Sequence, residues 1–257
     1  MKNDTEYILA SGSPRRKELL ARAGLKYRVL VSDADEDYPE GLKPEEIVKL
    51  LAGRKGHAVA ELLKNGKETC STSQRKESGA EPESALTDTE SKVTESTVTE
   101  STVTECTVTE STMTSSRTGV HSDVTKQICV ISADTIVVLD DRILGKPADR
   151  NESEKMIRAL QGRDHQVWTG VQVIYMSEED KSIGQEICFA DCTTVHVISM
   201  DDAEIKAYVD GGEGDDKAGA YAIQGDFAKY ISGYDGDFDN VVGLPVTHLM
   251  EVLNSKS

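Results

Sequence analysis

Residues 7–24, YILASGSPRRKELLARAG, read as a strand over 7–10, a Ser-Gly-Ser turn and a helix over 14–23 that stops at Gly24. Ser13 suits the N-cap, and Pro14 suits the first helical position because its missing N–H is one of the unpaired donors of that turn. Arg15, Arg16 and Lys17 then stand where the helix dipole is already positive. That placement costs stability unless an anion binds there. A strand, a small polar loop and a helix with a cationic start predict an α/β fold with an anion site at its first turn.

The same alternation continues on either side. Residues 27–31 form a second apolar run, and residues 44–63 read as a long helix with Ile47, Val48, Leu50, Leu51, Val59, Leu62 and Leu63 on its apolar face. Two β-branched runs follow at 128–133 and 136–139, and Asp140-Asp141 turns the chain into a short strand at 142–144. Asn151, with Glu154 three residues on, predicts the start of a helix that ends before Gly162. Strands are expected at 167–175 and 193–198, and helices at 202–209 and 245–253.

Between residues 64 and 127 apolar residues thin out and Ser, Thr and Glu take over. Residues 93–112 read VTEST, VTEST, VTECT, VTEST, a period of five that matches neither a helix nor a strand. So little apolar area cannot offset chain entropy, which predicts a disordered insertion. The rest, residues 1–63 and 128–257, is expected to form one alternating α/β domain that can carry the insertion, because a long loop adds little closure entropy. Deleting 64–127 should therefore leave activity intact, whereas a tether that works through its repeat would lose its role.

A formal net charge of −17 argues against general nucleic-acid binding, which needs basic stripes. Any phosphate site must be local. The first residues, MKNDTEYILASGSPRR, have neither the basic start nor the apolar core of a secretory signal, and no apolar run is long enough to span a bilayer. Cys70, Cys106, Cys129, Cys188 and Cys192 lack paired metal-binding spacing, so reduced thiols in a cytosol are expected. His57, His165, His196 and His248 likewise lack ligand spacing and are expected at the surface or in packing, with Trp168 in the core. Residues 235–237, Asp-Gly-Asp, read as a turn.

A second chemical motif is residues 132–135, Ser-Ala-Asp-Thr, where one apolar strand run ends and the next begins. A carboxylate there can hold a divalent metal or take a proton from water, and capping a turn is the bland alternative for Asp134 alone. Lys146 in Gly-Lys-Pro, Lys55 on the long helix and Glu36 after the second strand complete the candidates. Lysines act as point charges near phosphates, and Glu36 could share a metal.

Taken in order, LASGSPRRKELL (9–20), SADTIVV (132–138), GKP (145–147), DKAGAYAIQG (216–225) and GDFDNVVGLP (236–245) closely resemble the Maf family of nucleotide pyrophosphatases. The resemblance covers the chain outside the insertion. It implies an elongated, two-lobed α/β fold around a central mixed sheet with flanking helices, with a nucleotide in the cleft, a homodimer, and Mg²⁺ or Mn²⁺ as cofactor. Asp134 matches the family's proton acceptor, and Glu36, Lys55 and Lys146 match groups around the triphosphate and metal, with Glu36 and Asp134 as metal ligands. Arg15, Thr135 and Gln224 match positions tied to substrate choice, and Ser13 and Arg16 complete the phosphate loop. The Ala-Asp-Thr and Ala-Gly-Ala-Tyr-x-Ile-Gln patterns resemble the branch acting on dTTP and UTP, modified pyrimidines included. Gln224 carries both an amide and a carbonyl, which complements a uracil or thymine edge.

Two other functions stay open at this point. One is the same reaction on another nucleotide, such as one with a methylated or non-standard base; the other is a non-catalytic nucleotide-binding regulator of cell division. Ser132 and Ala222 stand where the family usually has glycine. The first should be tolerated if its backbone is not left-handed, and the second adds a methyl beside the base pocket.

Overall fold

A computed structural model describes residues 5–66 and 126–255. Seven strands form one mixed sheet in the order β2 (Tyr27–Val29), β1 (Thr5–Leu9), β3 (Gln127–Leu139), β5 (Asp164–Ser177), β6 (Ile183–Val197) and β7 (Ile231–Asp235), with β4 (Arg142–Leu144) paired to β3. β1 runs parallel to both β2 and β3, and the remaining pairs are antiparallel. Among the described residues the α-helices are α1 (Pro14–Arg22), α2 (Pro44–Lys64), α3 (Arg150–Leu160), α4 (Asp202–Gly211), α5 (Phe238–Val242) and α6 (Val246–Asn254). The α/β fold is what the alternation predicted, and the central mixed sheet is what the resemblance implied. The insertion expected to be disordered lies outside the described residues except at its edges, where α2 runs on to Lys64 and β3 starts at Gln127.

The side chains of β3 alternate between two cores. Cys129, Ile131, Ala133, Val137 and Leu139 face a layer built from α1, α3, α4, α5 and α6. Ile128, Val130, Ile136 and Val138 face α2. Burial on both sides makes β3 nearly continuous in apolar residues, as a central strand should be. The two expected runs at 128–133 and 136–139 are one strand, because Asp134 and Thr135 continue the ladder opposite Gly170 and Thr169. A polar pair inside a strand reads from sequence as an interruption, yet the pleat tolerates it when each side chain finds partners.

α1 and α2 cover opposite faces, and the chain passes from β1 to β2 on one side and from β2 to β3 on the other. The winding therefore reverses beside the carboxyl end of β1, where an open α/β sheet leaves a crevice for ligands. Pairing of β1 with β3 ends at Leu9–Ile131, and β4 joins β3 only from Val137. In between, residues 132–136 of β3 pair only toward β5.

Helix α2 lies unusually close to this part of the sheet. A Cβ on Gly170 would stand 2.3 Å from the Val48 carbonyl oxygen, and one on Gly56 would stand 2.7 Å from Ser132 Oγ. Ser132 is buried with no left-handed backbone, and its hydroxyl donates to the Ala52 carbonyl at 2.8 Å. Ser132 thus binds α2 to β3.

Asp140 and Asp141 both have positive φ, 48° and 61°, as a tight two-residue hairpin turn between β3 and β4 requires. The cap of α3 is Asp149, whose carboxylate accepts from the Glu152 N–H at 2.8 Å, and not Asn151, which lies inside the helix. Two Asx/Glu pairs three residues apart compete here, and the earlier one wins. Trp168 is half-buried against α2 rather than deep in the core, its indole N–H donating to Gln166. No helix among the described residues is long and apolar enough to cross a membrane.

Candidate active site

At the α2 face of β3, Lys55 Nζ lies 2.6 Å from Asp134 Oδ1 and 2.8 Å from Glu36 Oε1. Asp134 is buried because Gly170 and Gly56 let α2 settle onto the strand, while Glu36 is exposed on the loop before α2. Arg54 holds that loop through the Asp37 carbonyl and Asp35. Burial works against the Lys55 ammonium, but Asp134 and Glu36 outweigh it and raise Lys55 above the usual lysine range. Glu36 is held below the usual carboxylate range by its hydrogen bond and charge pairing with Lys55, with Lys146 and Arg16 adding to the effect.

On the other face, Arg16 is fixed by three acceptors. Its Nε donates to the Gly243 carbonyl at 2.7 Å, one terminal nitrogen donates to Thr135 Oγ1 at 3.0 Å, and the other donates to Ser11 Oγ at 3.3 Å. Burial lowers the Arg16 guanidinium's proton affinity, with Asp134 pulling the other way. The guanidinium still stays charged at any relevant pH.

The hydroxyl chain behind Arg16 has one direction. Thr169 donates to the Asn240 carbonyl at 2.9 Å, so at 3.0 Å it accepts from Thr135, leaving the Thr135 oxygen to accept from Arg16. Thr169 and Asn240 are both fully buried, and the Asn240 amide donates to Val167 O and Thr193 Oγ1. Consecutive residues on one strand thus serve opposite faces: Asp134 meets Lys55, and Thr135 anchors Arg16. Sequence reasoning missed Ser11, Thr169, Asn240 and Gly243. Ser11, Asn240 and Gly243 lie inside quoted motifs, whereas Thr169 carries no sequence signal.

The remaining candidates are placed more loosely. Ser13 caps α1 by position only, its own N–H donating to Ser11 Oγ at 3.2 Å. Arg15 is half-buried beside Arg16, and Lys146 is exposed, acting on Glu36 through its field. The Gly145 carbonyl accepts from the Gly219 N–H at 3.0 Å, which joins the Gly-Lys-Pro turn to the segment carrying Gln224. Gln224 itself is exposed, in a turn closed by the Gly225 N–H on Ala222 O at 3.3 Å.

Among the described residues no cluster of three or more His, Cys, Asp or Glu side chains could hold a metal. The donor set is two carboxylates, Asp134 and Glu36, sharing one ammonium.

The sequence model of the Maf-like protein family matches residues 6–256. The chain belongs to the Maf family. It is 38% identical over 248 residues to the dTTP/UTP pyrophosphatase of Pelotomaculum thermopropionicum, covering 96% of this chain and 95% of that one. The dTTP/UTP pyrophosphatase of Desulforamulus reducens is 34% identical over 96% of this chain and 94% of its own. That of a Geobacillus species is 34% identical over 94% and 93%.

Proposed function

We propose that this Maf protein is a nucleoside triphosphate pyrophosphatase that hydrolyses dTTP and UTP to the monophosphate and pyrophosphate. The observation that carries this reading is that cations stand on both faces of β3 where its edge toward β1 is unpaired, Lys55 beside Asp134 on one face and Arg16 on the other. A triphosphate laid round residues 132–136 meets Lys55 and Asp134 on one side and Arg16 on the other. The relatives named above, each a dTTP/UTP pyrophosphatase, supply the pyrimidine preference.

Asp134, next to a protonated Lys55, positions and deprotonates the water that attacks the α-phosphorus. Arg16, with Arg15 beside it and Ser13 in the loop, holds the phosphates in line for that attack. Lys55 and Lys146 stabilise the charge that moves onto the departing pyrophosphate. Gln224 pairs with the pyrimidine edge, with the Ala222 methyl beside it.

Two carboxylates plus substrate oxygens are a sparse oxygen set of the kind that carries Mg²⁺, so Glu36 and Asp134 would hold Mg²⁺ or Mn²⁺ jointly with the nucleotide once the Lys55 ammonium that bridges them turns to the phosphates. Such an ion would neutralise phosphate charge during the attack. The reading further takes the protein to be a cytoplasmic homodimer; light scattering of the purified chain tests the dimer, and fractionation of cells tests the location.

Pyrophosphate release measured across dTTP, UTP, CTP, GTP and methylated guanosine triphosphate, with Mg²⁺ and with chelator, tests the proposal. Preferential turnover of dTTP and UTP that stops on chelation supports it. Turnover confined to a purine nucleotide, or binding without turnover, overturns it.

A further inference from the structure

The segment from Gly219 to Phe227, which presents Gln224, is pinned from beneath more firmly than a surface loop needs. At its start Gly219 and Ala220 both have left-handed backbone, φ 71° and 58°, and for alanine that conformation is strained unless its surroundings impose it. Next to these the buried Tyr221 meets His165 Nε2 through its hydroxyl at 2.7 Å. At its end Glu213 takes over.

The Glu213 carboxylate accepts the Asp226 N–H at 2.9 Å through one oxygen and the Phe227 N–H at 3.4 Å through the other. These are the first N–H groups of a short 3₁₀ turn, Asp226–Tyr230, whose N-cap is Gly225 and has no side chain to offer. Glu213 therefore caps the turn from thirteen residues upstream. It lies so close that a Cβ on Gly225 would stand 1.5 Å from its Oε1. The next residue holds the segment too, since a Cβ on Gly214 would stand 1.9 Å from the Ala220 carbonyl oxygen.

We infer that Glu213 is a positioning residue for base selection: its carboxylate sets where the 222–225 turn sits and so where the Gln224 amide meets the nucleobase. It touches neither phosphate nor reacting atoms. The inference rests on the proposed role of Gln224 in recognising the pyrimidine. Its consequence is a division of labour, with selection carried by a frame tied to Glu213 and chemistry by the strand edge at Asp134.

Steady-state kinetics of full-length Glu213→Ala, Glu213→Gln and Gln224→Ala with UTP and GTP test it, alongside thermal unfolding of each. For Glu213→Ala the UTP KM should rise about tenfold with kcat within about threefold, so that the preference for UTP over GTP falls about tenfold. Glu213→Gln, which keeps one oxygen acceptor at the same reach, should retain more of that preference than Glu213→Ala. It also serves as the working variant should Glu213→Ala fail to fold. Equal loss on both nucleotides, or no change in preference, in a folded Glu213 variant overturns the inference when Gln224→Ala does lower the preference. A Gln224→Ala variant with full preference instead overturns the pyrimidine role of Gln224, and the inference with it.

Discussion

The Lys55 ammonium stands 2.6 Å from the Asp134 carboxylate, across the contact between α2 and the middle of β3. Asp134 is the buried partner and Glu36 the exposed one, so Lys55 joins an interior acid to a surface acid. If Asp134 handles the attacking water and Lys55 orients it, the two act as one unit. Asp134→Asn should lower kcat for UTP by about 100-fold or more while the protein stays folded. Lys55→Met should cost a similar factor, and the double variant little beyond either single one, because groups acting as a unit are not additive. Pyrophosphate release by all three variants checks this, and an active Asp134→Asn protein would remove Asp134 from its role.

The approach of α2 to the sheet depends on Gly170, directly opposite Asp134 in the ladder. A methyl there would meet the Val48 carbonyl oxygen at 2.3 Å, and a backbone atom of a long helix cannot step aside alone. Gly170→Ala should lower the free energy of unfolding by about 1–3 kcal/mol, the usual range for overpacking. Activity should fall more than that loss suggests, since α2 carries Lys55. Urea unfolding and kcat measured on the same preparation separate the two effects.

Much of the fold was legible because helix and strand periods are local properties. The turn residues Asp140 and Asp141, the break at Gly24 and the apolar face of α2 each announce themselves within a few positions. The strand residues of the site were less so. Asp134 and Thr135 look alike in sequence, two polar residues between apolar runs, yet the pleat sends one to Lys55 and the other to Arg16. Thr169 could not be singled out at all, because its importance comes only from sitting opposite Thr135 in the register. Nor does the sequence reveal that a glutamate thirteen residues upstream caps the turn beyond Gln224.

Thr169 supplies the next expectation. Replacing it with valine keeps the shape but removes the hydroxyl between Thr135 and the Asn240 carbonyl, leaving a buried acceptor unpaired. The loss should cost about 1–3 kcal/mol of stability. Thr135 would be freed to rotate, so Arg16 would keep Gly243 and Ser11 but lose its fixed third anchor. The expected kinetic result is a fall in kcat/KM for UTP of about tenfold, with Thr169→Ser restoring most of it. A Thr169→Val enzyme with full kcat/KM would show that Gly243 and Ser11 suffice to hold Arg16.

His165 gives the fold a pH dependence of its own. Burial against Tyr221 pushes its imidazole down from 6.5 to about 4, with Asp164 opposing the shift only in part. The unfolded chain therefore binds a proton near pH 6.5 that the folded chain refuses until about pH 4. Stability is highest above that window and falls as the pH drops through it, by up to about 3 kcal/mol from this residue alone. His196 works in the opposite sense, since its hydrogen bonds to Asp164 and Asp235 raise its proton affinity, but it lies at the surface, where screening weakens the effect. Glutamine at position 165 can still bond the Tyr221 hydroxyl and cannot titrate. Urea unfolding of the wild type and of His165→Gln from pH 7.5 to pH 4.5 should give a shallower fall for the variant. Parallel curves would mean that the imidazole keeps its proton in the folded state, with the ring reached by solvent.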